Sequence, residues 1–488
     1  MNREKIFSSL VWKLLERAGI QGVSFIVSII LARLLTPSDY GLISLIIVFI
    51  NLANVFIQGG FNTALIQKKN TDSKDFSSVF YFSFFIAFIL YIILFISAPT
   101  ISRFYNEEEL ISIIRVLSII LFTGSINSIQ VAFVTKNMEF KKLFMSSIGA
   151  TMISAFIGIG MAMSGFGVWA LVCQQISNQF FTVIIMWFTV PWRPKLIFSI
   201  ERLKDLIGYG WKILMTNLSD TLFLNLRSLL IGKIYTPDML GYFNRGRQFP
   251  EMIMTNVNGS IQSVMLVAYS NEQDNKQRIK EMVRRSMTVS SFIIFPMMFG
   301  LAVVAEPVVK ILLTDKWLLA VPYIQICAFT YMLMPIHTAN LQAIKAMGYS
   351  NIILKLEIIR KILELSILIF SVRLGVYAIA IGEVVTTVIS LGINLYPNKK
   401  LINYGVKEQL KDITPSFFNS VIMAVIVYSL KFLSINIILK LIIQILAGAI
   451  IYIALSNIFN VSTIKYLSSL FKGYFKKSDK DLMKGRIL

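Results

Sequence analysis

Long apolar runs alternate with short polar stretches along almost the whole chain. Examples are "VSFIVSIILA" at 23–32, "SVFYFSFFIAFILYIILFISA" at 78–98 and "IIQILAGAIIYIALS" at 442–456. A bilayer core takes about 20 apolar residues per helix, while a barrel strand takes about 10. The runs fit helices. Fourteen such segments are expected, the first near 11–35 and the last near 436–456. The first carries Glu16 and Arg17 and no small-residue cleavage site follows it, so it reads as a membrane helix and not a cleaved signal peptide. The predicted fold class is therefore all-α, a polytopic membrane protein.

Composition agrees with this pattern. Of 488 residues, 56% are hydrophobic and only 15% charged, against about 25% charged in soluble domains. The net charge of +21 has an owner other than nucleic acid. Lys and Arg concentrate in alternate loops, such as those around Lys68, Lys141, Arg202 and Arg278. The positive-inside rule then puts those loops, and both termini, on the cytoplasmic side of the membrane. The basic tail over 461–488 is expected to lie solvated beside anionic membrane lipids. Cys173 and Cys327 fall in apolar segments and offer no disulfide framework or metal cluster. The single histidine, His337, reads as a hydrogen-bonded packing residue. No metal and no cofactor are expected.

The chain also repeats itself. "LLTPSDYG" at 34–41 and "IYTPDMLG" at 234–241 share Thr-Pro-x-x-x-Gly at an offset of 200. Pro99 matches Pro307 at 208, Lys136 and Met138 match Lys345 and Met347 at 209, and "GVWA" at 167 matches "GVYA" at 375. Landmarks that stay in order read as an internal duplication. Six helices separate the copies, so the repeats are parallel about an axis along the membrane normal. The expected layout is a lobe over 1–195, a second over 200–400, two additional helices over 413–460, and the tail. The Thr-Pro-x-x-x-Gly element reads as a tight helix–helix turn on the outer side.

With this architecture, "WKLLERAGIQGVSFIVSIILARLLTPSDYGLISL" and "FIQGGFNTALIQKK" resemble the bacterial oligosaccharide flippases, the polysaccharide branch of the multidrug/oligosaccharidyl-lipid/polysaccharide exporters. The resemblance covers nearly the whole chain. It implies transport, not enzymatic catalysis: an oligosaccharide on undecaprenyl pyrophosphate would cross from the inner to the outer leaflet for surface polysaccharide synthesis. A polysaccharide polymerase is the candidate protein partner.

Ionisable and amide residues inside membrane helices are costly and usually face a wet cavity. Segment 7 places Lys212, Thr216, Asp220 and Arg227 on one face, and segment 1 does so with Arg17, Gln21, Ser24 and Ser28. Segment 2 offers Asn51, Asn54 and Gln58, and segment 8 offers Arg245, Arg247 and Gln248. These are the repeat-related helices expected at the lobe interface. Arginine forks suit phosphate oxygens, and amides suit hydroxyls. The candidate substrate-binding set is Arg17, Gln21, Asn54, Gln58, Lys212, Arg227, Arg245, Arg247 and Gln248. The resemblance further implies a proton or sodium site among segments 7, 11 and 12, where Asp220, Glu364 and Glu383 stand. For Glu364 the alternative is ion pairing within its helix, Arg360 with Glu364 and Glu357 with Lys361. The run Glu107–Glu109 is expected to cap the fourth segment through the helix dipole.

Two other classes remain open on sequence. A multidrug antiporter of the same superfamily should carry acid-rich inner helices. A membrane-embedded polymerase or glycosyltransferase should show a large outer loop or a paired-acid site, and the outer loops here are short.

Overall fold

The computed structural model describes residues 3–58, 60–68, 71–272, 275–459 and 463. Helices dominate, and there is no strand among the described residues. In chain order they are α1 (Arg3–Leu34), α2 (Pro37–Gln58), α3 (Phe61–Gln67), α4 (Ser73–Tyr105), α5 (Leu110–Leu117), α6 (Ile120–Asn137), α7 (Phe140–Met163) and α8 (Val168–Thr189). There follow α9 (Ile200–Ile234), α10 (Pro237–Asn271), α11 (Lys276–Leu312), α12 (Val321–Met332), α13 (Met334–Ala346), α14 (Ser350–Ser371), α15 (Val376–Leu401), α16 (Val406–Ser429) and α17 (Ile437–Ile458). The basic tail expected over 461–488 lies outside the described residues, Thr463 excepted.

Eleven helical spans among the described residues are long and apolar enough to cross a membrane, the pairs α2–α3, α5–α6 and α12–α13 each counting as one. Three more helices, α9, α10 and α14, have the length but are too polar to meet the same test. They carry the charges singled out above: Lys212, Asp220 and Arg227 on α9, Arg245 and Arg247 on α10, Glu364 on α14. Outward-facing side chains such as Phe85, Ile93 and Ile96 on α4 or Ile445 and Ile450 on α17 are exposed. Apolar solvent around those helices accounts for them.

Contacts divide the chain into two compact units, Met1–Asn244 and Arg245–Leu488, with the division inside α10. The first unit runs past the expected boundary near 195–200 because α9 packs on α2, α3 and α4. In this unit α7 lies along α1 and α8, and α6 packs on α4 and α8. One end is pinned by polar groups. Buried Asp75 pairs with Lys68 at 2.7 Å, and Lys136 Nζ donates to the carbonyls of Leu65 and Lys68. Asp72 caps α4 in a reciprocal box with Asp75. The amide N–H donated by Asp75 is the largest of the influences that hold the Asp72 carboxyl below its ordinary pKa.

At the other end stand the two Thr-Pro-x-x-x-Gly elements. Each proline is the first residue of its helix, where a missing N–H costs nothing. Thr36 is the cap residue of α2: its hydroxyl accepts from the Asp39 N–H at 3.2 Å, and the Asp39 carboxylate accepts from the Thr36 N–H at 2.8 Å. The two turns touch. A Cβ on Gly41 would stand 1.9 Å from the Pro237 carbonyl oxygen, and one on Gly241 would stand 2.1 Å from that of Pro37. Each glycine is required by the other copy's backbone. The nearby Glu107–Glu109 run stands at the start of α5, where Glu109 takes the cap position without a side-chain hydrogen bond. Burial, with Glu109 and Asp238 close by, raises the Glu107 carboxyl above its ordinary pKa.

In the second unit, α11 packs on α12, α13, α16 and α17, while α15 packs on α12, α13 and α14. Its core is rich in Met and aromatics, including Met287, Phe295, Met298, Tyr331 and Tyr452.

Candidate functional site

The glycine contacts of the first unit bracket a cavity. Toward one end of α9, a Cβ on Gly210 would meet the Gly60 backbone, and one on Gly60, at φ +87°, would fall 2.3 Å from the Gly210 oxygen. Toward the other end, Gly232 admits the side chain of Leu45. Between these points α9 stands off from α2 and α3. The resulting cavity is about 600 Å³ and is lined by Asn51, Asn54, Gln58, Asn62, Asn217, Asp220, Thr221 and Asn225, with Val55, Gly60, Thr63 and Leu224. On α9 the lining positions 217, 220/221 and 224/225 follow the helical repeat of one face.

Eight of the lining side chains are amides or hydroxyls, and one, Asp220, is a carboxylate. Asn62 Nδ2 donates to Ser128 Oγ at 2.6 Å, and Asn225 Nδ2 donates to the Thr221 carbonyl at 2.7 Å. These bonds fix two of the amides. Asn and Gln each offer donors and an acceptor, which is what a polyhydroxyl ligand needs. Such a lining at mid-helix in an apolar solvent is the signature of a wet path.

The structure gathers some of the predicted residues and separates others. Asn54, Gln58 and Asp220 come together in this lining. Arg17, Gln21, Lys212 and Arg227 are not among the lining residues. Arg17 and Lys212 are exposed, whereas Arg227 is buried at 7% exposure. Lys212 and Arg227 stand on α9 on either side of the lining run 217–225, so cations flank the cavity along that helix. Glu16 pairs with Lys13 at 2.8 Å.

Arg245, Arg247 and Gln248 belong to the second unit. Arg245 is buried, hydrogen-bonds Gln248 and lies over the Trp317 ring. Arg247 Nε donates to the Tyr331 hydroxyl at 2.7 Å and meets Glu251 at 3.6 Å. Buried Glu383 stands within electrostatic reach of the same guanidinium. Spacing along α15 alone left Glu383 with no cation within a turn. Packing supplies one from α10. On α14, Arg360 pairs with Glu357 at 2.6 Å, one helical turn away, and Glu364 is half-buried. Asn394 Nδ2 donates to His337 Nδ1 at 2.9 Å, so the buried imidazole is hydrogen-bonded within the packing.

A second cavity in the first unit, about 300 Å³, was missed on sequence. Ser24, Asn51, Asn54, Thr151, Ser154, Gln174, Gln175, Asn178 and Gln179 line it, with Ile20, Ile47, Ile50 and Ile120. Asn51 and Asn54 are common to both cavities. The signal was the run "QQISNQ" at 174–179. It is the same kind of amide signal as Asn51, Asn54 and Gln58, but it lies on a helix outside the repeat-related set on which the reading concentrated.

Residues 30–322 match the family described as "Polysaccharide biosynthesis protein". The chain belongs to this family. Among curated relatives it is 22% identical over 492 residues to the teichuronic acid biosynthesis protein TuaB of Bacillus subtilis, covering 99% of each chain. It is 20% identical to the lipopolysaccharide biosynthesis protein WzxC of Escherichia coli, covering 88% of each. Among solved structures, the lipid II flippase MurJ in an inward closed conformation matches with a TM-score of 0.76 at 15% identity, covering 93% of this chain and 100% of that one. An inward-facing multidrug MATE transporter matches at 0.62 and 16% identity, covering 80% and 98%. The fold of this family member is thus the one these exporters share, as the opening 34-residue stretch suggested.

Proposed function

We propose that this protein carries polyprenyl-pyrophosphate-linked oligosaccharide units from the inner to the outer leaflet of the bacterial cytoplasmic membrane, for surface polysaccharide synthesis. The observation that carries the reading is the amide- and hydroxyl-lined cavity between α2, α3 and α9 in a chain of the polysaccharide biosynthesis family. Amides take the sugar hydroxyls, and Lys212 and Arg227 beside the cavity take the pyrophosphate. The relatives' names supply the substrate class, since they are teichuronic acid, succinoglycan and lipopolysaccharide proteins.

In this reading α9, α10 and α14 also cross the membrane, which makes fourteen crossings and puts both termini inside. The two six-helix lobes are parallel repeats. Element order supports that. Pro99 and Pro307 both sit inside long helices, Lys136 and Lys345 both close short ones, and Gly167 and Gly375 both precede a helix at positive φ. Asp220 in the cavity, with Glu383 and Glu364 as further acids, couples the cycle to a proton or sodium gradient, because substrate alone only equilibrates.

A cationic drug exporter is the second reading, favoured by Asp220 in the lining and by the MATE likeness. One carboxylate among eight neutral polar groups fits a polyol better. The test is surface polysaccharide in cells expressing variants at native level. Arg227→Ala should cut export and Arg227→Lys should restore part of it, since charge persists but the fork is lost. Asp220→Asn should abolish export while the protein stays folded in the membrane. Normal polysaccharide in all three, or drug sensitivity changing in its place, would overturn the reading.

A further inference from the structure

The smaller cavity differs from the larger one in a way that specifies a ligand. It has no ionised side chain in its lining. Its floor is α8, where Gln174, Gln175, Asn178 and Gln179 fall within one arc of the helix at spacings of 1, 3 and 1. Its wall is α7, held close to α8 by small residues. A Cβ on Gly158 would come within 2.9 Å of Gln174 Cβ, and one on Gly149 within 3.1 Å of Ile185.

One amide is fixed by that wall. Asn178 Nδ2 donates to Thr151 Oγ1 at 3.3 Å and to Ser154 Oγ at 3.2 Å. Both hydroxyls are themselves tied to their own helix, Thr151 to the Ser147 carbonyl and Ser154 to the Thr151 carbonyl. The Asn178 amide is therefore oriented. Its Oδ1 accepts no bond from the described residues, and the amides of Gln174, Gln175 and Gln179 make no hydrogen bond to them either. These glutamines are half-buried and border the cavity. Four neutral amides clustered at the middle of a membrane helix, with hydrogen-bonding capacity toward a shared space, are costly unless a polar guest takes it up.

We infer that this chamber, bordered by α1, α2, α6, α7 and α8, is a subsite for an uncharged sugar of the transported glycan. The inference rests on the functional reading above and adds where the glycan goes. A phosphate or uronic acid would meet no cation here, and an amine would meet no carboxylate. A neutral hexose presents paired donor and acceptor hydroxyls, which matched amides bind on both sides. Asn51 and Asn54 join the chamber to the larger cavity, so one glycan can occupy both.

Single-cysteine reporters test this. With Cys173 and Cys327 replaced by Ala, Asn178→Cys reports on the chamber and Asn225→Cys on the larger cavity. Gln175→Cys replaces the first reporter if it does not fold. The full-length protein in nanodiscs is modified with a small polar maleimide. Two probes are added: the lipid-linked oligosaccharide extracted from cells lacking this protein, and polyprenyl pyrophosphate without sugar. The oligosaccharide should slow modification of both reporters at least tenfold, while the sugar-free carrier leaves the chamber reporter unchanged. The subsite is overturned if the oligosaccharide protects only Asn225→Cys, or if the sugar-free carrier protects the chamber equally. If the oligosaccharide protects neither reporter, the functional reading falls, and the subsite with it.

Discussion

The interiors of the two units are built from similar helices and filled differently. In the first, polar side chains border open space: Asn51, Gln58, Asn217 and the α8 glutamines line cavities. In the second, several polar side chains are tied to one another. Arg247 is bonded to Tyr331 across α10 and α12, Asn394 to His337 and Asn398 to Asn340 across α13 and α15. Around them lies a Met-rich aromatic core. Low-dielectric surroundings strengthen such bonds and make loose amides expensive. The difference teaches that a polar residue in a membrane helix is not in itself a site. A substrate contact also needs open space beside it, as Asn62 and Asn178 have while bonded to a neighbouring helix.

The sharpest way to break this comparison is at the glycines that hold the first unit's helices. A Cβ on Gly41 runs into backbone, not into a side chain that can swing away. Overpacking typically costs about 1–3 kcal/mol, and a rigid carbonyl at 1.9 Å puts Gly41→Val at or above the top of that range. Export should be lost and the detergent melting temperature should fall. Gly22→Ala, which meets nothing within 4 Å, should leave both unchanged. If the two variants behave alike, the touching turns do not hold the structure.

A smaller effect is expected in the second unit. Tyr331→Phe removes the acceptor from Arg247 Nε. Bonds to charged groups contribute about 1.5–3 kcal/mol, so stability should drop by about that amount while transport persists in the protein that remains folded. Transport lost at full stability would move Arg247 and Tyr331 from scaffold to substrate path.

Much of the fold was legible in the sequence. Apolar run lengths gave the helices, and the recurring Thr-Pro-x-x-x-Gly pointed to the paired turns. That the two turns pack against each other was not legible, because no pattern along one strand of text reports a contact 200 residues away. The site was half legible. Asn54, Gln58 and Asp220, singled out because amides and acids stand out in apolar helices, line one cavity. The glutamine face of α8 was missed because attention stayed on the helices related by the repeat. Charge also drew attention to Arg247, whose partner Tyr331 on α12 only the packing brings into contact.

Transport itself is the most direct test. The lipid-linked oligosaccharide accumulated by cells lacking this protein is placed in liposomes with the purified chain, and an impermeant glycosidase reports how much reaches the outer leaflet. Wild type should expose the inner-leaflet pool far faster than protein-free vesicles, and faster still under a proton or sodium gradient of the right sign. Asn54→Leu combined with Gln58→Leu, which makes the α2 wall of the larger cavity more apolar, should return the rate to the protein-free level without unfolding the protein. A wild-type rate no faster than empty vesicles, or a double variant as fast as wild type, would contradict the account.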